Sequence, residues 1–103
     1  MSKFKTPVAK ALYECAATFE ERNKVYGDAY KRLGDVFVGL FPHGITLTSA
    51  DDFGRFGMIG EVVSKLQRYC NNFHKGGHKD SLHDISVYCQ MIQELDDDKA
   101  SKE

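Results

Sequence analysis

Residues Phe56–Phe73, FGMIGEVVSKLQRYCNNF, decide the fold of this chain. Placed at about 100° per residue, Phe56, Met58, Ile59, Val62, Val63, Leu66, Tyr69, Cys70 and Phe73 gather on one broad side. Glu61, Lys65, Arg68 and Asn72 fall on the opposite side. That period belongs to a long amphipathic helix. Upstream, Thr48-Ser49-Ala50-Asp51 has a hydroxyl followed three residues later by an acid, a capping arrangement, so the helix is expected from there to about Phe73. Gly54 and Gly57 lie on the polar stripe, where two exposed glycines cost roughly 1 kcal/mol each relative to alanine. Either another backbone or a ligand approaches them, or the helix begins after Gly57.

Outward from this stretch the chain reads as further helices. Gly76-Gly77 breaks it, and a fourth helix is expected from about Asp80 to Asp96, with Leu82, Ile85, Tyr88, Cys89, Ile92 and Leu95 on its apolar face. Thr6 and Pro7 form an N-cap and first helical residue. Val8, Leu12, Cys15, Ala16 and Phe19 carry that first helix to about Asn23. Lys24 to Gly27 reads as a short break, and Asp28 caps a second helix containing Leu33, Val36, Phe37, Leu40 and Phe41. Pro42 to Leu47 is a loop. No useful strand alternation is present. The expectation is an all-α, four-helix bundle-like domain over residues 1–95, its last two helices long and antiparallel, followed by a charged flexible tail over 96–103.

With 103 residues, 42% of them hydrophobic and 28% charged, the chain has the composition of one globular domain. A formal charge of −1 argues against nucleic-acid binding driven by overall charge. No apolar run approaches the ~20 residues of a membrane span, and Met1–Lys10 lacks the pattern of a secretory signal. Three widely spaced cysteines, Cys15, Cys70 and Cys89, each fall in an apolar helical pattern and read as reduced core thiols of a cytoplasmic protein.

Chemistry concentrates on two helical stripes. Glu61, Lys65 and Arg68 recur at i, i+4 and i+7, and Asp80, Asp84 and Tyr88 at i, i+4 and i+8. Each set shares one helix face, so two antiparallel helices can bring them into one cleft. Lys65 and Arg68 suit phosphate oxygens, the arginine offering a bidentate fork. Glu61, Asp80 and Asp84 suit Mg²⁺, which prefers oxygen ligands. The plain alternative for Glu61 and Lys65 is an ordinary i, i+4 surface pair. Val87 and Met91 share the side of Asp80 and Asp84, so Asp84 reads as a partly sheltered carboxylate that needs a cation, a metal or hydrogen bonds. Alternatively, those two apolar residues touch a sister subunit and Asp84 stands at the rim. His74, His78 and His83 surround a glycine turn, and could hold zinc only if the loop gathered them. Arg22-Asn23-Lys24-Val25-Tyr26-Gly27-Asp28 is either a cationic, aromatic connector that closes on a ligand, through Lys24 and Tyr26, or a plain interhelical turn.

The connector Lys24–Asp28, the Lys65-x-x-Arg68 helix and the run Lys79-Asp80-Ser81-Leu82-His83-Asp84-Ile85-Ser86-Val87-Tyr88 resemble a group of small phage and prophage proteins that includes nucleotide-modification-associated domains. The shared run is Lys-x-x-Arg, a short polar turn, then Asp-x-x-x-Asp and a tyrosine, and the resemblance covers roughly residues 20 to 92. More remotely, the layout is similar to the all-α nucleoside triphosphate pyrophosphatases of the MazG type. That resemblance implies a helical bundle paired with a sister subunit and Mg²⁺ held by acids on two helices. Asp84 matches the acid on the last helix, and Glu61 is the nearest acid on the preceding one. Those enzymes carry Glu-x-x-Glu there, whereas Glu61 is followed by Ser64 and Lys65, which puts hydrolysis in more doubt than nucleotide binding.

The functional expectation is therefore a nucleotide-handling protein of the host-cell cytoplasm, acting on a nucleotide or another phosphorylated small molecule. As an enzyme it would cleave a nucleoside triphosphate to monophosphate and pyrophosphate, with Glu61, Asp80 and Asp84 as metal ligands. Lys24, Tyr26, Lys65, Arg68 and Tyr88 are the expected ligand contacts. The alternatives are a non-catalytic protein that sequesters a nucleotide and a helical module that docks on a host protein. A homo-oligomer is expected, because Val87 and Met91 call for cover; no membrane or nucleic-acid partner is.

Overall fold

The computed structural model describes residues 3–102, and its ordered elements are all helical. These are α1 (Pro7–Tyr26), α2 (Ala29–Leu40), α3 (Ala50–Asn71), a single 3₁₀ turn at Phe73–Lys75, and α4 (Lys79–Lys102). The all-α fold with two long C-terminal helices is as the sequence predicts. No strand occurs among the described residues.

α3 and α4 pack along their lengths, and their ion pairs give the direction. As α3 advances from Arg55 to Lys65, the partners on α4 recede from Asp96 to Asp84, so the helices run antiparallel. The reversal rests on Gly76 and Gly77, with φ of 98° and 80°, a region that L side chains avoid. A Cβ on Gly77 would also lie 2.7 Å from the Tyr69 ring. α3 starts in a complete capping box one residue later than expected. Ser49 accepts from the Asp52 amide at 3.0 Å, while the Asp52 carboxylate accepts from the Ser49 amide. The Thr48 amide also donates to Asp52. These backbone bonds hold the Asp52 carboxyl below its ordinary value.

Three expectations change. The Lys24–Gly27 break is instead the last turn of α1, which runs to Tyr26 and ends at Gly27 with φ 60°. The residues from Asp96 onward continue α4 to Lys102, because Arg55 donates to Asp96 at 2.8 Å and Lys99 pairs with Asp51 at 3.5 Å. The three cysteines are free but exposed rather than in a core.

The last change follows from how little this protomer buries. Ala29 and Val63 are its buried apolar residues and Ser81 its one wholly buried polar side chain among those described. An aromatic cluster supplements them, Phe56 lying 5.1 Å from Phe37 and 5.9 Å from Phe41 between ring centres. α2 and the C-terminal end of α1 lean on α3, and the N-terminal turns of α1 project from the body. Gly54 and Gly57 lie within the helix, and among the described residues a Cβ added at either would meet nothing within 4 Å beyond the helix's own backbone, so no other element of the protomer approaches them. Among the described residues, no helix is long and apolar enough to cross a membrane.

Candidate functional site

The site is assembled where the C-terminal ends of α1 and α3 meet. A helix end leaves carbonyls without partners, and here Val25 O accepts from both the Asn71 and Asn72 side chains, at 2.8 and 2.9 Å. Asn72 also donates to Arg68 O at 2.7 Å. Gly27 allows the close approach, since a Cβ there would lie 2.6 Å from Asn71 Oδ1. Asn23 donates to Gly27 O and fixes the turn from inside α1. The Gln67 amide donates to Ala29 O, which ties the start of α2 to the same stretch of α3.

This clamp sets the Tyr26 ring under the Arg68 guanidinium, with Arg68 Cζ 3.9 Å from the ring centre. Such stacking contributes about 0.5–2 kcal/mol. Among the described residues, Arg68 makes no ion pair within 4 Å, and its Nε is buried without a hydrogen-bond partner. Burial pushes the guanidinium below its ordinary value and the neighbouring charge of Arg22 adds to that, while Asp84 and Asp80 oppose it. Lys65, with its side chain only 17% exposed, points its ammonium at Asp84 Oδ2, 3.8 Å away. Asp84 is thus the half-sheltered carboxylate that the apolar flanks of α4 suggest, and a lysine supplies its cation.

The structure brings together Tyr26, Lys65, Arg68 and Asp84, with Asp80 near enough to act on Arg68 by charge. Lys24 is not among them: it pairs with Glu21 at 3.1 Å, both side chains more than 70% exposed. Glu61 is exposed one turn before Lys65, and Tyr88 is half-buried one turn beyond Asp84. Arg22, one turn before Tyr26, is a neighbouring cation; it opens the cationic connector read from the sequence, but the ligand contacts expected there are Lys24 and Tyr26.

The three acids expected to hold Mg²⁺ are not gathered into one cluster in the protomer. Among the described residues, no three His, Cys, Asp or Glu side chains are placed together to hold a metal ion, and the Lys65 ammonium lies 3.8 Å from Asp84 Oδ2. The histidines are also dispersed in role. His74 packs edge-on against Phe73, and the His78 ring caps α4, accepting from the Ser81 amide at 3.3 Å with the Ser81 hydroxyl 2.7 Å from the same nitrogen. His83 lines a shallow cavity with Val87 and Met91, which stay 42% and 46% exposed.

Beside the site lies a larger apolar cleft of about 720 Å³ between α1, α2 and α3, whose walls include Phe19, Arg22, Tyr26, Tyr30 and Leu33. Compared with known proteins, the chain matches no family model, no curated protein and no solved structure.

Proposed function

We propose that this protein binds the phosphate group of a small molecule, a nucleotide in the first instance, at Arg68 and Lys65, and holds it without hydrolysis. One observation carries the reading. The Arg68 guanidinium is partly desolvated, stacked on Tyr26 and, among the described residues, without a carboxylate within ion-pair distance. A cation kept partly dry and unpaired costs free energy in the empty protein, and an anion with hydrogen-bond acceptors returns it. Phosphate oxygens meet that need in the plane of the guanidinium. Lys65 adds a second positive charge one turn away and can exchange Asp84 for the ligand.

Tyr26 supports a nucleotide over a simple phosphate, because its ring also lines the apolar cleft and offers a stacking surface for a base. The Lys65 ammonium beside Asp84 supports holding over pyrophosphate release, because it already neutralises the carboxylate that a catalytic metal would use. In this reading Mg²⁺ arrives, if at all, as the counter-ion of the ligand's own phosphates.

The test is a panel of nucleoside mono- and triphosphates, cyclic nucleotides, pyrophosphate and phosphate, each with and without Mg²⁺, read by thermal stability and product analysis. Binding at 100 times Kd raises stability by about 2.7 kcal/mol. Stabilisation without product, in both metal conditions, is the expected result. Release of pyrophosphate would replace holding with hydrolysis; no stabilisation by any phosphorylated compound would remove the proposal.

A further inference from the structure

We infer that the working protein is a two-fold symmetric dimer in which α1 of each copy lies in the α1–α2–α3 cleft of the other. This inference does not depend on the phosphate reading. The single chain exposes 8027 Å², whereas a compact monomer of 11.6 kDa exposes about 5,800 Å². The surplus is roughly 2,200 Å² per copy, so a pair could bury up to about 4,400 Å², within the 2,000–5,000 Å² that obligate interfaces bury over both partners. The radius of gyration agrees: 17.8 Å against about 13 Å for a compact domain of this length.

Exposed apolar side chains occur on all four long helices, and the most exposed of them, Val8, stands on α1. That helix buries none of its residues, and Val8, Leu12 and Phe19 are 71%, 65% and 52% exposed along one stripe, with Cys15 exposed between them. Two buried apolar residues in the protomer cannot offset the ordering of a hundred residues. The missing burial must come from another surface, and the chain carries both halves of a matching one. Cys15 and Phe19 belong to the stripe and also line the cleft, beside Tyr30 and Leu33. A surface shared in this way between ridge and groove is what a two-fold axis requires, since the same patch serves on both copies.

Charge favours a second copy over a foreign partner. Net charge is near zero, so two copies do not repel. The charged residues on the cleft are Glu14 and Arg22, of opposite sign and equally spaced about Thr18. An antiparallel α1 pair centred on Thr18 sets Glu14 of one copy against Arg22 of the other.

Sedimentation equilibrium of the full chain, its melting temperature over a hundredfold concentration range, and alkylation of Cys15 followed by peptide mapping test this together. The expected results are twice the single-chain mass, a melting temperature that rises with concentration, and Cys15 alkylated at least tenfold more slowly than in the Leu12→Glu variant. That variant is expected at single-chain mass or with lost helicity at micromolar concentration. A wild-type chain that is helical at single-chain mass with a concentration-independent melting temperature overturns the inference. So does a dimer whose Cys15 reacts as fast as in the denatured chain. Nucleotide binding is scored separately, so either proposal can fail alone.

Discussion

Replacing Arg68 by glutamine separates a ligand-binding arginine from a structural one. In the folded protein the change removes the stack on Tyr26, a loss of about 0.5–2 kcal/mol. It also removes a buried Nε that has no partner, whose desolvation costs about 1–3 kcal/mol. These contributions oppose each other, so the net stability change is expected to stay within ~1 kcal/mol. Phosphate binding has no such compensation. Losing the charge-assisted hydrogen bonds weakens it by about 1.5–3 kcal/mol, or roughly 10- to 100-fold in Kd. Arg68→Lys keeps the charge but not the planar fork or the stack, and should fall between the two. The assay is calorimetric titration with the tightest compound from the panel, beside thermal denaturation of each variant. Unchanged affinity in Arg68→Gln, or a stability loss above ~2 kcal/mol with binding intact, would mean that Arg68 serves the fold and that the site is elsewhere.

Three other outcomes follow from single positions. Gly77→Ala should destabilise by about 1–2 kcal/mol for its positive φ alone, with a further cost for the displaced Tyr69 ring, read as a drop of ~5–15 °C in melting temperature; an unchanged melting temperature would show that the α3–α4 reversal tolerates another path. Asp52 binds its proton less tightly folded than unfolded, so its contribution to stability is complete above about pH 4 and fades as pH falls through the lower folded value; Asp52→Asn should therefore flatten the stability curve over that acidic interval, and parallel wild-type and variant curves would refute the assignment. Gly57→Ala, in open space on α3, should stabilise the protein by up to ~1 kcal/mol, whereas destabilisation would reveal a neighbour on that stripe in the assembled protein.

The helices were legible because their apolar period and end signals agree. Pro7 behind Thr6, and the paired glycines at 76 and 77, all stand where the chain starts or turns. That Lys65 and Asp84 face one another was also readable, since spacing puts each on a definite face of an antiparallel partner, although the reading gave them to phosphate and metal and not to each other. The end of α1 was not. Lys24-Val25-Tyr26 lacks a strong helix signal, and what holds it is the capture of Val25 O by two amides about 46 residues away. The end of α4 misled for a related reason: Asp96-Asp97-Asp98 reads as a solvated acidic tail until Arg55 is seen beside Asp96. The cysteines show the limit of periodicity, which identifies a face to be covered but not whether the cover comes from the same chain.

The binding residues and the uncovered surface meet in one element. Tyr26, the platform for Arg68, stands on the last turn of α1, and α1 is the helix that buries nothing in a single copy. In the protomer its position rests mainly on the Val25 carbonyl clamp and the Arg68 stack. A few such contacts, each contributing about 0.5–2 kcal/mol net, hold a 20-residue helix against large torsional freedom. If the dimer supplies the remaining restraint, it also fixes the Tyr26 ring, and phosphate affinity should weaken when the protein is diluted until it dissociates. By reciprocity, the ligand should tighten the dimer by the same factor. Titrations above and below the dissociation midpoint, with Leu12→Glu as the low-association reference, measure that factor directly. A factor of one, with both dimer and ligand present, would mean that the asparagine clamp alone positions Tyr26 and that assembly and binding are independent properties of this chain.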